Sequence, residues 1–311
     1  RVAVCRAVAG LIQQFGRPSR IVALHEADLD VAAELRQALG VPGETPETLA
    51  PLRDKLVMAL RMAAAGIPLP AAEPAPDHAA VHAFAAVHGW PVLLKPVRGT
   101  SGAGITRVDS AVSLDEFVFP PGVAMLVQPY LPYDVVHVDG VATGGSSAVA
   151  SATGSRLGAW RASRYVNTCL DFLEGAPLGS IELDHPPLVR AIGELTERVV
   201  RALSDEAWVF HLEFFIAGDL DDPQLQLLEV APGPGGAEVP FVWQEVHGID
   251  LLAAAFAVQT GAPLPAQCLS GPGPELGGWL LVPVPVPRPC RGVAAGPRVD
   301  VGVGRGGGVG L

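Results

Sequence analysis

The chain has 311 residues, of which 49% are hydrophobic and 17% charged. This balance is typical of a globular protein with a buried core and excludes a largely disordered chain. The net charge of −11 argues against a nucleic-acid partner, because a phosphate backbone requires a basic surface. No apolar run reaches membrane-spanning length, so we expect no membrane partner. Four cysteines without CxxC spacing predict neither a zinc site nor a disulfide framework, and a reducing cytoplasm is the expected location.

The first elements predicted along the chain are a strand and two helices. Residues 19–26 predict a short buried strand, and the apolar spacing that follows predicts a helix that Gly40 ends. A strand that runs into a helix is typical of α/β units. Another helix is predicted over residues 46–70. Because the chain begins at Arg1 without a methionine, inside a predicted element, we expect it to be a fragment of a longer protein.

A glycine-rich loop, RGTSGAG (98–104), lies between two predicted strands. Its glycine spacing is the reverse of the dinucleotide fingerprint, and that fingerprint leads from a strand into a helix. A loop between two strands instead predicts a flexible hairpin whose backbone N–H groups can close over phosphates. An ordinary glycine hairpin without a ligand is the alternative.

Lys55 and Lys95 are the only lysines in the chain, beside 19 arginines. The two cations are not interchangeable, because lysine is a compact point charge and arginine a planar fork. Two retained lysines therefore indicate positions that require a point charge, and chance retention at the surface is the alternative.

The segments after the glycine loop differ in how clearly they predict structure. Residues 124–145 predict two strands, and residues 184–205 predict a helix with one apolar face. The stretch from 141 to 184 predicts no regular structure. After about residue 281 the chain becomes Pro-Val and Gly-Val low complexity, for which we expect disorder.

Residues 207–232 predict a β-hairpin, because two apolar runs flank the turn-forming sequence GDLDDP. A register centred on Asp221 places Glu213 and Glu229 opposite each other on one face, where two carboxylates repel. A divalent cation between them would remove the repulsion, and oxygen ligands suit Mg²⁺. A register shifted by one or two residues would instead leave each carboxylate at a rim, in water.

Several segments, in their order and spacing, resemble the ATP-grasp superfamily over roughly residues 20–266. The resemblance implies an α+β fold in which two α+β lobes clamp ATP, preceded by a Rossmann-like α/β domain that is truncated here. The implied division is a partial N-terminal α/β domain (1–50), the ATP-grasp domain (51–266) and a disordered Pro/Gly-rich tail (267–311). The segments that carry it are LRDKLVM, GWPVLLKPVRGTSGAGITRV, LVQPYLPYDVVHVDG, HLEFF and LLEVAPGPGG.

The resemblance also implies which residues bind ATP and Mg²⁺. Lys55 and Lys95 would contact the phosphates, and Glu213 and Glu229 would hold the metal. The lid over the phosphates would be Gly99, Thr100, Ser101, Gly102 and Gly104, and the adenine hinge would be Gln128, Tyr130 and Leu131. The acid near the ribose would be Asp134, with Asp139 as the alternative.

Three positions depart from the family's pattern, the first being Gln128, which stands where a glutamate is common. An Asn and an Arg usually follow the second metal ligand, and here those positions are Ala231 and Gly233. In the family, the Arg that is absent here helps to hold the carboxylate substrate and the transferring phosphoryl group. Arg161 or Arg164 is the suggested catalytic substitute.

The implied function is that of an ATP-dependent, ADP-forming carboxylate–amine ligase. Such an enzyme activates a small carboxylic or amino acid as an acyl phosphate, which an amine then attacks to form an amide. Two alternatives stay open: a degenerate ATP-binding module without catalysis, and a biotin-carboxylase-like member that phosphorylates bicarbonate. The expected partners are a small-molecule carboxylate and an amine or amino acid, and a homodimer is one option for assembly.

Overall fold

Two antiparallel sheets, each with its own set of helices, make up the computed structural model, which describes residues 2–100 and 102–283. The helices are α1 (Val2–Phe15), α2 (Leu29–Leu39), α3 (Pro46–Arg53), α4 (Lys55–Ala64), α5 (His78–His88), α6 (Ala111–Asp115), α7 (Ala148–Thr153), α8 (Cys169–Leu173), α9 (Pro186–Leu203), α10 (Val239–His247), α11 (Leu251–Thr260) and α12 (Gln267–Ser270). The strands are β1 (Glu73–Pro74), β2 (Val92–Pro96), β3 (Thr106–Val108), β4 (Met125–Pro129), β5 (Asp134–Ala142), β6 (Leu157–Tyr165), β7 (Leu178–Glu182), β8 (Trp208–Asp219), β9 (Asp222–Pro232) and β10 (Gly278–Leu281). The architecture is α+β.

The smaller sheet has the strand order β1-β4-β2-β3 and packs against α5 and α6. Its central strands β2 and β4 are short apolar runs that are buried along nearly their whole length. β2 and β3 form the predicted hairpin around the glycine loop, with Leu94 opposite Thr106. This lobe therefore presents the loop and Lys95, which lies on β2, at one end of its sheet.

The larger sheet has the strand order β10-β7-β6-β5-β8-β9, and α9 packs on one of its faces. The core-facing residues of α9 recur every three or four positions, which is the helical period. They are Leu188, Ile192, Leu195, Val199, Val200 and Leu203. The strands present Val136, Leu212 and Phe214 to this helix, all fully buried.

Because side chains alternate along a strand, the residues between those core positions lie on the opposite face of the larger sheet. That face carries polar residues in its middle, among them His137, Glu213 and Glu229. At one end it is apolar, where α10 and α11 cover Val141 and Val209. We refer to the polar middle of this face as the site face.

The hairpin β8–β9 confirms the predicted pairing of Glu213 with Glu229, but the predicted register centred on Asp221 is wrong near the turn, where Asp219 pairs with Asp222. A β-bulge follows, since the next pair is Phe214 with Leu227, so that Leu228 is the extra residue. The bulge has a clear consequence for side-chain direction. Leu227 is fully buried in the core beneath the sheet, whereas Glu229, two residues later, reaches the other face. In a regular strand both would point the same way, so the bulge re-aims the carboxylate.

The predicted strand over residues 19–26 is wrong. Residues 20–24 have no regular secondary structure, and Glu26 begins a short 3-10 helix (Glu26–Asp28). Side chains, and no neighbouring strand in the described part of the chain, bond to the backbone of Ala23 and Ile21. The Ala23 N–H donates to Gln259 Oε1 at 3.0 Å, and Gln259 Nε2 donates back to the Ala23 carbonyl at 2.8 Å. Arg36, which is buried, donates to the Ile21 carbonyl from both Nε and Nη2. The first 45 residues hold α1 and α2, and the Rossmann-like unit stays a prediction.

Three further expectations need correction. The helix predicted over 46–70 is two helices, since Asp54 is extended and caps the second one with its side chain. The stretch from 141 to 184 contains the regular strands β6 and β7, which long-range pairing with β5 and β10 stabilises. The disorder expected from residue 267 is wrong for α12, which is helical, and for β10, an edge strand that pairs with β7. The rest of that tail, from residue 284, lies outside the described residues.

Across the described ranges, no single helix is both long enough and apolar enough to cross a membrane. Only α10 and α11 taken together, bent by 102° at the break between them, meet that test of length and composition.

We expect Gln259→Ala to destabilise the N-terminal segment. The substitution removes both partners of Ala23, and leaving partly buried backbone groups unpaired costs about 1–3 kcal/mol in the free energy of unfolding. Denaturant unfolding measures that change, and amide exchange at Ala23 should accelerate in the same variant. Gln224→Ala, at an exposed position of β9, is the control. Unchanged exchange at Ala23 would contradict the assignment of Gln259 as its partner.

Candidate active site

Two carboxylates form the floor of the candidate site. Glu213 on β8 and Glu229 on β9 are direct cross-strand partners on the site face. Glu213 Oε1 accepts a hydrogen bond from the Tyr165 hydroxyl at 3.0 Å and lies 3.5 Å from His211 Nε2. Burial opposes ionisation of Glu213, but the hydrogen bonds from His211 and Tyr165 outweigh it and lower its pKa. Burial and the neighbouring Glu213 raise the pKa of Tyr165, whose hydroxyl therefore stays a donor.

Lys55 joins this floor to the lid. It is the first residue of α4, and its ammonium lies 2.7 Å from Glu229 Oε1 and 3.2 Å from the Gly99 carbonyl oxygen. The ammonium is thus a cation held between the carboxylate pair and the glycine loop.

Lys95 approaches from the smaller sheet and is only 5% exposed. Burial lowers its pKa to about 8; the carboxylates of Glu229 and Glu213 oppose that shift, and the ammonium of Lys55 adds to it. Lys55, Lys95, Glu213 and Glu229 therefore interact electrostatically, and we refer to these residues as the four-charge cluster.

The glycine loop lies over the site and contacts the larger lobe. Gly102 and Gly104 adopt left-handed backbone angles, with φ of +72° and +74°, that favour glycine. A Cβ on Gly102 would lie 3.7 Å from Cys169 Cβ, so the loop packs against α8. Thr100 is half-buried, and Ser101 lies outside the described residues.

The predicted adenine hinge joins the two lobes, because it runs from β4 in the smaller sheet to β5 in the larger one. Gln128 is buried, and the Tyr130 N–H donates to the Pro91 carbonyl at 3.0 Å. Leu131 follows, half-buried. Asp134 lies at the exposed start of β5, where its carboxylate is 2.7 Å from Arg164 Nη2.

The two arginines suggested as catalytic lie on opposite faces of β6. Arg161 is the cross-strand partner of Asp139 and lies on the site face. Its guanidinium donates to the carbonyls of Gly273 and Glu275, while its buried Nε has no partner among the described residues. Arg164 lies on the other face with Asp134, so the structure does not bring it to the site.

A buried polar network beside Glu213 was not predicted from the sequence. Asp139 accepts hydrogen bonds from His137 Nδ1 at 2.7 Å and from His211 Nδ1 at 3.0 Å. Burial raises the pKa of Asp139, but the charge of His211 and the bonds from both histidines outweigh it and leave the pKa lowered. The same contact raises the pKa of His211 to about 10 against the effect of burial, so the imidazole is a cation. Strand alternation could have revealed this network, since residues 137, 139 and 211 share the parity of Glu213.

The carboxylate pair fits a divalent cation better than this network does. Glu213 Oε2 and Glu229 Oε2 accept no hydrogen bond from any described residue, so each carboxylate keeps an oxygen for a metal. His137, Asp139 and His211 also lie close enough together to hold a metal, with ligand atoms within 4.8 Å of one another. In this network, however, the Nδ1 atoms of His137 and His211 lie 2.7 and 3.0 Å from the Asp139 oxygens, which are hydrogen-bond distances. The same atoms are then engaged with one another and not with a metal.

Comparison with known proteins gives short matches in sequence and long ones in structure. No protein-family model matches the chain. It is 49% identical over 43 residues to a D-alanine–D-alanine ligase of Streptomyces griseus subsp. griseus, a match that covers 14% of this chain and 11% of that protein. A D-alanine–D-alanine ligase of Streptomyces avermitilis is 54% identical over 35 residues, covering 11% of this chain and 9% of that protein.

The structural matches extend over most of the described chain. An L-amino acid ligase from Bacillus licheniformis has a TM-score of 0.65 at 16% identity and is covered over 61% of its length by 84% of this chain. An N5-carboxyaminoimidazole synthetase from Staphylococcus aureus complexed with ADP has a TM-score of 0.64 at 16% identity, with 86% of this chain and 65% of that one covered. The chain therefore spans less than two thirds of the proteins that it matches, and the matching region has the fold of the ATP-grasp superfamily.

Proposed function

We propose that the chain is the nucleotide-binding part of an ATP-dependent, ADP-forming carboxylate–amine ligase. Its substrates would be a small carboxylic or amino acid and an amine. The observation that supports this function most directly is the four-charge cluster, in which Lys55 contacts Glu229, and Glu213 and Glu229 face each other. Two point cations beside two carboxylates, beneath a glycine loop, form an arrangement suited to a triphosphate with its metal.

In this proposal Glu213 and Glu229 hold Mg²⁺ through the oxygens that accept no hydrogen bond. The metal would neutralise phosphate charge and polarise the phosphoryl group under transfer. Lys55 and Lys95 add two positive charges that the fold has already desolvated and oriented, so little reorganisation is needed when charge develops. The γ-phosphoryl would then pass to the substrate carboxylate as an acyl phosphate, and attack by the amine would release phosphate.

The lid and hinge supply the remaining nucleotide contacts in this proposal. Gly102 and Gly104 give the loop the left-handed backbone angles that glycine favours, and the N–H groups of such a loop are suited to phosphate oxygens. Gln128 to Leu131 connect the two lobes, a position suited to the adenine ring. Asp134, predicted to lie near the ribose, shares the face of Arg164 opposite the site face, so this proposal gives it no nucleotide contact.

Arg161 is the better of the two arginines for the acid substrate. It lies on the site face, two carbonyl groups hold its guanidinium in place, and its Nε–H has no partner within residues 2–100 and 102–283. A carboxylate could accept from such a prepositioned fork, which suits planar oxyanions.

Turnover with a panel of substrates tests the proposed function. The protein is mixed with ATP, Mg²⁺ and pairs of amino acids, and release of ADP and phosphate is measured with and without bicarbonate. Turnover that requires an acid and an amine supports the ligase. ATP binding without turnover on any pair would favour a degenerate binding module, and dependence on bicarbonate would favour a carboxylase-like reaction.

We expect Lys95→Met to lower turnover by about 10²–10³-fold, the size typical of removing one preorganised group that stabilises developing charge. The methionine keeps much of the volume of the buried side chain, so the fold should survive. Steady-state kinetics and thermal unfolding are measured on the same sample. Arg190→Met, which removes an exposed cation from α9, is the matched control. A fully active Lys95→Met variant would remove this residue from the site.

Substitution of each arginine separates the two predicted catalytic groups. We expect Arg161→Met to raise KM for the acid substrate by at least 10-fold, because its carboxylate loses a charged partner, with little change in KM for ATP. Arg164→Met should change either constant by less than about 2-fold, since an exposed ion pair contributes little. A larger rise in KM for the acid with Arg164→Met than with Arg161→Met would contradict the assignment of the acid to the arginine on the site face.

A further inference from the structure

We infer that Asp139 is a positioning residue for the metal-binding carboxylates. Through His211 it orients Glu213, and through the Gly235 amide it holds the turn that follows Glu229. This inference rests on the proposed function, since it concerns how the two ligands of the metal are kept in place.

Asp139 has the burial and the contacts of a structural hub. It is 1% exposed, and both its oxygens are occupied. Oδ2 accepts from His137 Nδ1 at 2.7 Å, while Oδ1 accepts from His211 Nδ1 at 3.0 Å and from the Gly235 N–H at 2.7 Å. With three of about four acceptor sites filled and the group buried, Asp139 is better placed to orient its neighbours than to bind a ribose or a metal.

The first branch of the hub leads to Glu213. His211 is held at Nδ1 by Asp139, which directs the other side of the ring, Nε2, toward Glu213 Oε1 at 3.5 Å. Tyr165 donates to the same oxygen from a second direction. Oε1 is thus occupied from two sides, and Oε2 is the oxygen left for the cation. An oriented ligand of this kind binds a metal more tightly than a free one, because its rotamer is already chosen.

The second branch leads to the turn after Glu229. A Cβ on Gly235 would lie 2.7 Å from Asp139 Oδ1 and 2.7 Å from His211 Nδ1, so only glycine lets the backbone reach the carboxylate. Ala231, the cross-strand partner of His211, is also small. The chain beyond Glu229 is therefore docked on the same carboxylate that orients Glu213, and one residue couples the positions of both metal ligands.

A third branch anchors the hub away from the metal. His137 Nε2 lies 2.6 Å from Ser180 Oγ on β7, and the His137 ring packs 4.7 Å from the Tyr165 ring, centroid to centroid. The network thereby spans β7, β6, β5 and β8, whose pairing makes it rigid.

Metal-dependent nucleotide binding tests this role without relying on turnover. The affinity of a non-hydrolysable ATP analogue is measured by calorimetry over a range of Mg²⁺ concentrations, with thermal unfolding on each sample. We expect Asp139→Asn to weaken Mg²⁺ binding in the presence of the analogue by about 10–100-fold, the range found when a group behind a metal ligand is removed. Binding of the analogue without metal should change by less than 2-fold. Asp222→Asn, an exposed carboxylate of the same hairpin, is the control.

Two further variants keep the test decisive if Asp139→Asn fails to fold. Gly235→Ala should give the same loss of Mg²⁺ affinity, because its methyl group displaces Asp139. His211→Gln, which retains a donor toward Glu213, should recover part of the affinity that His211→Leu loses. If these variants fold and bind Mg²⁺ as tightly as the wild type, the positioning role of Asp139 is wrong, while the proposed function is unaffected. Failure of the wild-type chain to bind the analogue with Mg²⁺ overturns the proposed function and this inference together.

Discussion

The repulsion between two facing carboxylates is the constraint around which the site is organised. Glu213 and Glu229 are cross-strand partners on a largely buried face, where the attraction and repulsion of charges are stronger than in water. Such a pair is stable only if cations surround it. The fold supplies them from three directions: Lys55 at the start of α4, Lys95 on β2 and His211 beside Glu213 on β8.

This electrostatic requirement also explains how the two lobes meet. Lys95 belongs to the smaller sheet and the carboxylates to the larger one, so their attraction acts across the boundary between lobes. Lys55 bridges the same boundary, because its ammonium contacts both Glu229 and the carbonyl of Gly99 in the glycine loop. Under the proposed function, a bound polyanion with its metal would replace these charge contacts with its own.

The polar site face depends in turn on two local features of the backbone. The bulge after Glu213 sends Leu227 into the core and Glu229 toward the site, two directions that a regular strand cannot combine. The glycine at 235 then allows the main chain to reach Asp139. The bulge thus turns a carboxylate toward the site face, and the missing side chain at position 235 lets a backbone N–H reach a buried carboxylate.

The sequence by itself determined the elements whose signals are local. Period-two alternation and the GDLDDP turn predicted the hairpin, and the ordered motifs predicted the ATP-grasp fold. Glu213 pairs with Glu229 as predicted only because the bulge at Leu228 offsets a one-residue error in the predicted register at the turn. Tertiary structure decided whatever depends on distant partners. Residues 19–26 have the composition of a strand, but the side chains of Gln259 and Arg36 bond to the backbone of Ala23 and Ile21, which pairs with no strand among the described residues. Strands β6 and β7 form because β5 and β10 pair with them. Asp139 meets His211 and Gly235 only after β5, β8 and the turn that follows β9 come together. Hydrogen bonds and charges between residues some 70 to 240 positions apart leave no local period in a sequence, and so only the folded chain shows them.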